Sequence, residues 1–181
     1  MRIFEVAKPK ILYHGDNFGT TKLDINWMMH NTSNNQEGVG IYFSPDIEVA
    51  KTYGSKISKI STRGLKFVNS RSPVSKVVPE FAAIRLMKYL NKVNDEFWYL
   101  ISDYVEVSGP EDIRDYHFSE VYRAMKSEEV RNWQIELAQA SSVKDLVEGW
   151  NKYSSIDGLY EPVSNFYSII DYNVVAVPVN F

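Results

Sequence analysis

The feature that most constrains this chain is a change of hydrophobic period at Pro79. From there to Tyr153 apolar residues recur at helical spacing, whereas on both sides they gather in short, strand-like runs. Phe81, Ile84, Met87, Leu90, Phe97, Leu100, Ile101 and Tyr104 mark one amphipathic stretch. Ile113, Phe118, Val121, Tyr122 and Met125 mark a second, after Gly109-Pro110. Ser127 and Ser142 read as caps of two further helices, which carry Trp133 and Trp150. Strands, a helical block at about 79–153, then strands again do not make the alternation of a doubly wound sheet. The expected class is α+β with mainly antiparallel strands, in one domain spanning residues 1–181.

Before the block, residues 10–14 read as a strand ending at Gly15, followed by a turn through Asp16 and Gly19. Residues 24–30 read as a short helix and 31–38 as a polar loop. Residues 40–43 form a second strand. Ser44-Pro45-Asp46 then opens a helix with Ser44 as its cap, and Val49, Ala50 and Tyr53 share its inner face. Residues 56–79 read as a hairpin or strand pair, broken at Arg63-Gly64 and Ser72-Pro73. After the block, strands are expected within 155–160, 166–170 and 174–179.

Composition removes several kinds of chemistry. The chain has no Cys, which excludes disulfides, zinc–thiolate sites and thiol nucleophiles. Its three His (His14, His30, His117) lack metal-ligand spacing, and His117 is expected on a helix surface or at a core edge. Gly38-Val39-Gly40 lacks the third glycine and following helix of a dinucleotide loop, and no Walker motif occurs. There is no apolar run of about 18 residues and no signal-peptide pattern, so a soluble cytosolic protein with no membrane partner is expected. The net charge of -3 conceals seven basic residues between Lys51 and Lys76 with no acid among them. That stretch would suit a pyrophosphate or a nucleic acid, or it is a solvated face.

The remaining signal is aromatic. Tyr13-His14-Gly15 leaves the first strand, Gly40-Ile41-Tyr42-Phe43-Ser44 forms the second, and Tyr53 follows Tyr42 by eleven residues. A histidine and two tyrosines so placed would line a groove for a flat aromatic ligand bearing an amide, such as the nicotinamide end of NAD. Glycine at position 15 would let the backbone approach that ligand. Each segment alone is also an ordinary piece of strand or helix.

Taken in order, these motifs, with Asp157-Gly158-Leu159-Tyr160 and a terminal apolar strand pair, resemble the diphtheria-toxin-type branch of the ADP-ribosyltransferases. That branch includes the catalytic domains of poly(ADP-ribose) polymerases and many small bacterial and phage relatives. The resemblance implies a split antiparallel β-sandwich, here with a helical insertion, and NAD as co-substrate. His14 corresponds to the family histidine that bonds the adenosine ribose, and Gly15 to the glycine that holds the nicotinamide amide. Tyr42 matches the signature tyrosine and Tyr53 the one that stacks on nicotinamide. The implied cofactor-binding set is His14, Gly15, Tyr42, Phe43 and Tyr53, and the implied catalytic set is His14, Tyr42 and position 166. In the family that position holds a glutamate, whereas this chain has Phe166; Asp16 and Ala50 likewise stand where relatives often carry serine. A positioned base of that kind contributes about 10²–10⁴ in rate. Family members with an apolar residue there resemble mono-transferases that borrow a carboxylate from the acceptor, or proteins that have lost the activity. Glu161, on the preceding loop, is one residue that would have to swing in.

Three functions follow as expectations. The first is mono-ADP-ribosyl transfer from NAD to a macromolecule, a protein or, through residues 51–76, a nucleic acid, with the helical block selecting the target. The second is a non-catalytic module that binds NAD, ADP-ribose or a protein. The third is an NAD glycohydrolase, with water as acceptor.

Overall fold

The computed structural model describes residues 8–23 and 37–181; the expected helix at 24–30 and most of the polar loop lie outside them. Strand β1 (Ile11–Asp16) and strand β2 (Ile41–Phe43) precede helix α1 (Ile47–Lys51), strand β3 (Lys56–Ser61) and strand β4 (Phe67–Asn69). Six helices follow: α2 (Val74–Val77), α3 (Glu80–Val93), α4 (Trp98–Tyr104), α5 (Asp115–Met125), α6 (Val130–Ala140) and α7 (Val143–Tyr153). Strands β5 (Gly158–Glu161), β6 (Phe166–Ile169) and β7 (Val177–Pro178) close the order. The class is α+β, as the change of period predicts.

The strands form two sheets, β1-β3-β7 and β2-β6-β5-β4. All pairs are antiparallel except β4 with β5, where Phe67, Val68 and Asn69 face Gly158, Leu159 and Tyr160 in parallel. A parallel pair needs a long crossover, and here the crossover is the helical block itself. Residues 56–79 are therefore not a hairpin. β3 and β4 belong to different sheets, because Thr62 is drawn back to the strand before it: its N–H donates to the Lys10 carbonyl.

Two expected caps move for a related reason. Ser44 spends both backbone groups on Tyr13, so its backbone is extended and the helix starts later, capped by Asp46 accepting from the Glu48 N–H at 2.8 Å. Residues 126–130 pair with the chain leaving β4: Val74 N–H donates to the Glu128 carbonyl, Ser75 N–H to Lys126, and Val130 N–H to Ser72. Ser127 thus lies in the turn that leaves α5, closed by the Glu128 N–H donating to the Met125 carbonyl at 3.0 Å, and α6 begins at Val130 after an extended Glu129. Ser142 does cap α7, accepting from the Asp145 N–H at 3.1 Å. The block also begins earlier than Pro79, at the single turn of α2, and Phe81 points to solvent.

A continuous apolar core runs from Leu12 to Ala176, through both sheets and the helices. Trp133 and Trp150 sit in it with ring centroids 6.2 Å apart, and the Trp150 indole donates to the Ile156 carbonyl at 2.7 Å. That bond ties the end of the block to the return into β5. His117 is buried rather than superficial, with its Nδ1 accepting from the Arg114 N–H at the start of α5.

Close backbone approach fixes how α1 lies on β1. A Cβ on Gly15 would stand 1.8 Å from the Ala50 carbonyl oxygen, and one on Gly54 would stand 2.2 Å from the Asp16 carbonyl carbon. Gly64, by contrast, has φ +82° and open space around it. Gly15→Ala should therefore cost about 3 kcal/mol in urea unfolding, at the upper end of overpacking penalties. Gly64→Ala should cost only the backbone strain, about 1 kcal/mol.

Candidate functional site

The two sheets meet where Tyr13 and Ser44 exchange backbone hydrogen bonds, each 2.8 Å long. That bridge sets His14 beside Phe43, ring centroids 5.3 Å apart, and brings His14 Nδ1 within 2.8 Å of the Tyr42 carbonyl. A carbonyl only accepts, so Nδ1 carries the proton and the ring orientation is fixed. The opposite nitrogen, Nε2, is buried and has no hydrogen-bond partner among the described residues; Asp16 Oδ2 stands 3.4 Å away. In the β1–β3 pairing His14 faces Ser58, whose buried hydroxyl is also unpartnered. Directly opposed residues share a sheet face, so two unsatisfied polar groups lie side by side. Ser58 carries no sequence signal of its own; only the register reveals it.

Asp16 is engaged in the turn. Its carboxylate accepts from the N–H groups of Phe18, Gly19 and Thr20 and from the Thr20 hydroxyl. Burial pushes this carboxyl up, but those bonds outweigh it and hold it below its ordinary value. It is a turn cap.

Tyr42 donates its hydroxyl to the Gly38 carbonyl at 2.7 Å. Burial holds its phenol well above the ordinary tyrosine range, and the Glu37 charge pushes the same way. One Glu37 carboxylate oxygen is buried with no hydrogen-bond partner among the described residues. Sequence reading passed over Glu37 because it closes a featureless polar run.

Gly15 does sit close to another chain segment, but that segment is α1, as its contact with Ala50 shows. Tyr53 lies just past α1 and is mostly exposed, so it does not share an inner face with buried Ala50. Its ring meets Phe166 edge-on, centroids 5.8 Å apart. Phe166 is the residue before Tyr167, the partner of Phe43, which puts it at the β6 end nearest Ser44. The structure thus gathers His14, Gly15, Tyr42 and Phe43 at the sheet junction, with Tyr53 and Phe166 forming an aromatic pair at its border.

Glu161 is not free to swing. Its side chain is 2% exposed and accepts from Ser70 Oγ at 2.6 Å, Arg71 Nε at 2.7 Å, Arg131 at 3.3 Å and the Val163 N–H at 3.1 Å. Burial alone would raise this carboxyl; the Ser70, Val163 and Arg71 hydrogen bonds overcome that and lower it. The strand pairing of 70–75 with 126–131 delivers both arginines, so this cluster ties β4, α6 and β5 together. Among the described residues, no group of three or more His, Asp or Glu is placed to hold a metal ion, and no helix is long and apolar enough to cross a membrane.

No family model matches the chain, and no curated protein or solved structure does either.

Glu161 and Asp16 bind protons more weakly folded than unfolded, so their contribution is present above about pH 4.5 and lost as pH falls through their folded values. Asp157, which burial raises, works in the opposite sense. Glu161→Gln should lower stability at pH 7 by about 3 kcal/mol, the low end for a broken buried pair because Arg71 is partly exposed. Urea midpoints measured from about pH 7 to pH 3 should fall steeply for the native chain and less steeply for the variant.

Proposed function

We propose that this chain is a mono-ADP-ribosyltransferase of the diphtheria-toxin type, acting on NAD and a macromolecular acceptor. The observation that carries the reading is the pair of buried, unpartnered polar groups, His14 Nε2 and Ser58 Oγ, at the junction beside Tyr42 and Phe43. An orphaned pair of this kind is costly unless a ligand satisfies it, and a ribose hydroxyl has the right chemistry. The two-sheet arrangement with mainly antiparallel strands supports the same fold family at a coarse level. Tyr53, exposed and set nearly perpendicular to the Phe166 ring, offers an aromatic surface on which nicotinamide would stack.

In this reading NAD supplies the scissile glycosidic bond. Its cleavage gives nicotinamide, ADP-ribosyl acceptor and one proton. The chain's own contribution is orientation: His14, fixed through Nδ1, holds a ribose hydroxyl, and half-buried Tyr42 walls the nicotinamide end. Phe43, expected to bind the cofactor, is instead wholly buried in the core and only backs the His14 ring. Phe166 provides no base, and Glu161 is held in its ion cluster, so the acceptor would have to bring the carboxylate or the rate would be low.

That last observation also favours a second reading, a non-catalytic NAD or ADP-ribose binder on the same fold. Calorimetry and nicotinamide release separate the two. The transferase should transfer label from NAD to protein in a lysate, and His14→Ala should weaken NAD binding about tenfold, the value of one lost hydrogen bond to a buried group. Tyr42→Phe, which keeps the ring, should leave the fold intact by circular dichroism, and Tyr42→Ala should abolish labelling. NAD or ADP-ribose binding without nicotinamide release would select the binder; free ADP-ribose as main product would select a glycohydrolase; binding of neither NAD nor ADP-ribose would reject all three.

A further inference from the structure

A second feature lies on the helical block, not at the sheet junction. Helices α3 and α7 enclose a groove of about 520 Å³ lined by Arg85, Lys88, Tyr89, Lys92, Lys152 and Tyr153. Four cations and two phenol rings line it, and none of its lining residues is acidic. The groove is built around a steric gap: a Cβ on Gly149 would stand 2.7 Å from both Leu86 and the Tyr89 ring. With glycine there, the Tyr89 ring settles on the α7 backbone. Its hydroxyl donates to Glu148 at 3.0 Å, which engages that neighbouring carboxylate.

Tyr153 lies 5.7 Å from Tyr89, centroid to centroid, and the Lys152 ammonium stands over both rings, at 5.3 and 5.7 Å. Lys88 is paired with Asp115 at 2.8 Å. Arg85 and Lys92 have no ion pair among the described residues and are exposed. They are seven residues apart on α3, so their backbone positions lie about 10 Å apart along the helix. Extended from the helix, they present two separate cationic points. A ligand that uses the whole groove carries several anionic groups in a row together with flat faces for the tyrosines. A strand of linked nucleotides has both properties, with phosphates for the cations and bases for the rings.

We propose that this α3–α7 groove binds single-stranded nucleic acid. The site is independent of NAD chemistry and stands or falls without it. It also differs from the basic stretch at residues 51–76, in which the charge is scattered and Arg71 is committed to Glu161.

The test is fluorescence anisotropy of the full chain with fluorescein-labelled oligouridylate and oligothymidylate of about 12 nucleotides. Binding should weaken with salt, with a log–log slope of about -2 for three phosphate contacts. Arg85→Glu/Lys92→Glu, at exposed helix positions, should lower affinity at least tenfold. Tyr153→Leu, which retains apolar volume, should lower it about tenfold through lost stacking. The matched control, Lys10→Glu/Lys22→Glu, changes net charge equally at exposed positions outside both the groove and the 51–76 stretch and should change affinity less than about twofold. Circular dichroism checks that each variant is folded. The proposal is overturned by any of four results: no binding to either oligonucleotide, equal losses in the two charge-reversed pairs, no effect of Tyr153→Leu, or ADP binding as tightly as the strand, which would make the groove a mononucleotide site.

Discussion

Two backbone hydrogen bonds between Tyr13 and Ser44 hold the sheets to each other, and the candidate site exists because of them. They fix His14 against Phe43 and the Tyr42 carbonyl, and they delay α1 until Asp46. The short helix then lies on β1 so closely that only glycine fits at 15 and 54. Main-chain geometry sets the junction first, and the functional side chains are arranged on it. Substituting either glycine would therefore disturb the junction through the backbone alone, with every other side chain unchanged.

The sequence pattern revealed the period change, the α+β class and the order of elements, because burial imposes those periods directly on side-chain polarity. It did not reveal which strands are neighbours. The parallel partnership of β4 and β5, the absence of a hairpin at 56–79 and the displaced cap at Ser127 all follow from hydrogen bonds between residues distant in the chain. The site divided along the same line. His14, Gly15, Tyr42 and Phe43 were legible as two short motifs, and the structure does gather them. Ser58 was invisible because serine in a strand is unremarked until its cross-strand partner is known. Glu161 read as a mobile loop carboxylate; it is the buried acceptor of two arginines contributed by separate elements.

Charge is allotted to different purposes in different parts of the molecule. Where acids and bases are buried together, as around Glu161, mutual attraction and hydrogen bonding hold three elements in register. At the turn after β1, Asp16 spends its charge on backbone N–H groups. On the outer groove of α3 and α7, one cation, Lys152, stands over two tyrosine rings, and Arg85 and Lys92 have no ion pair among the described residues. The first two arrangements are structural, and the third is the groove for which a nucleic-acid strand is proposed above.

The parallel pairing of β4 with β5 also bears on how the chain reaches this state. Ser70 and Glu161, bonded at the end of that pair, are separated by 91 positions. Closing so long a loop is entropically unfavourable until the intervening helices have condensed and shortened it. The four-stranded sheet is thus expected to assemble late, over a preformed helical layer, leaving β4 with an open edge in the interval. During that interval the β4 edge is the place where two copies of the chain would most readily pair wrongly.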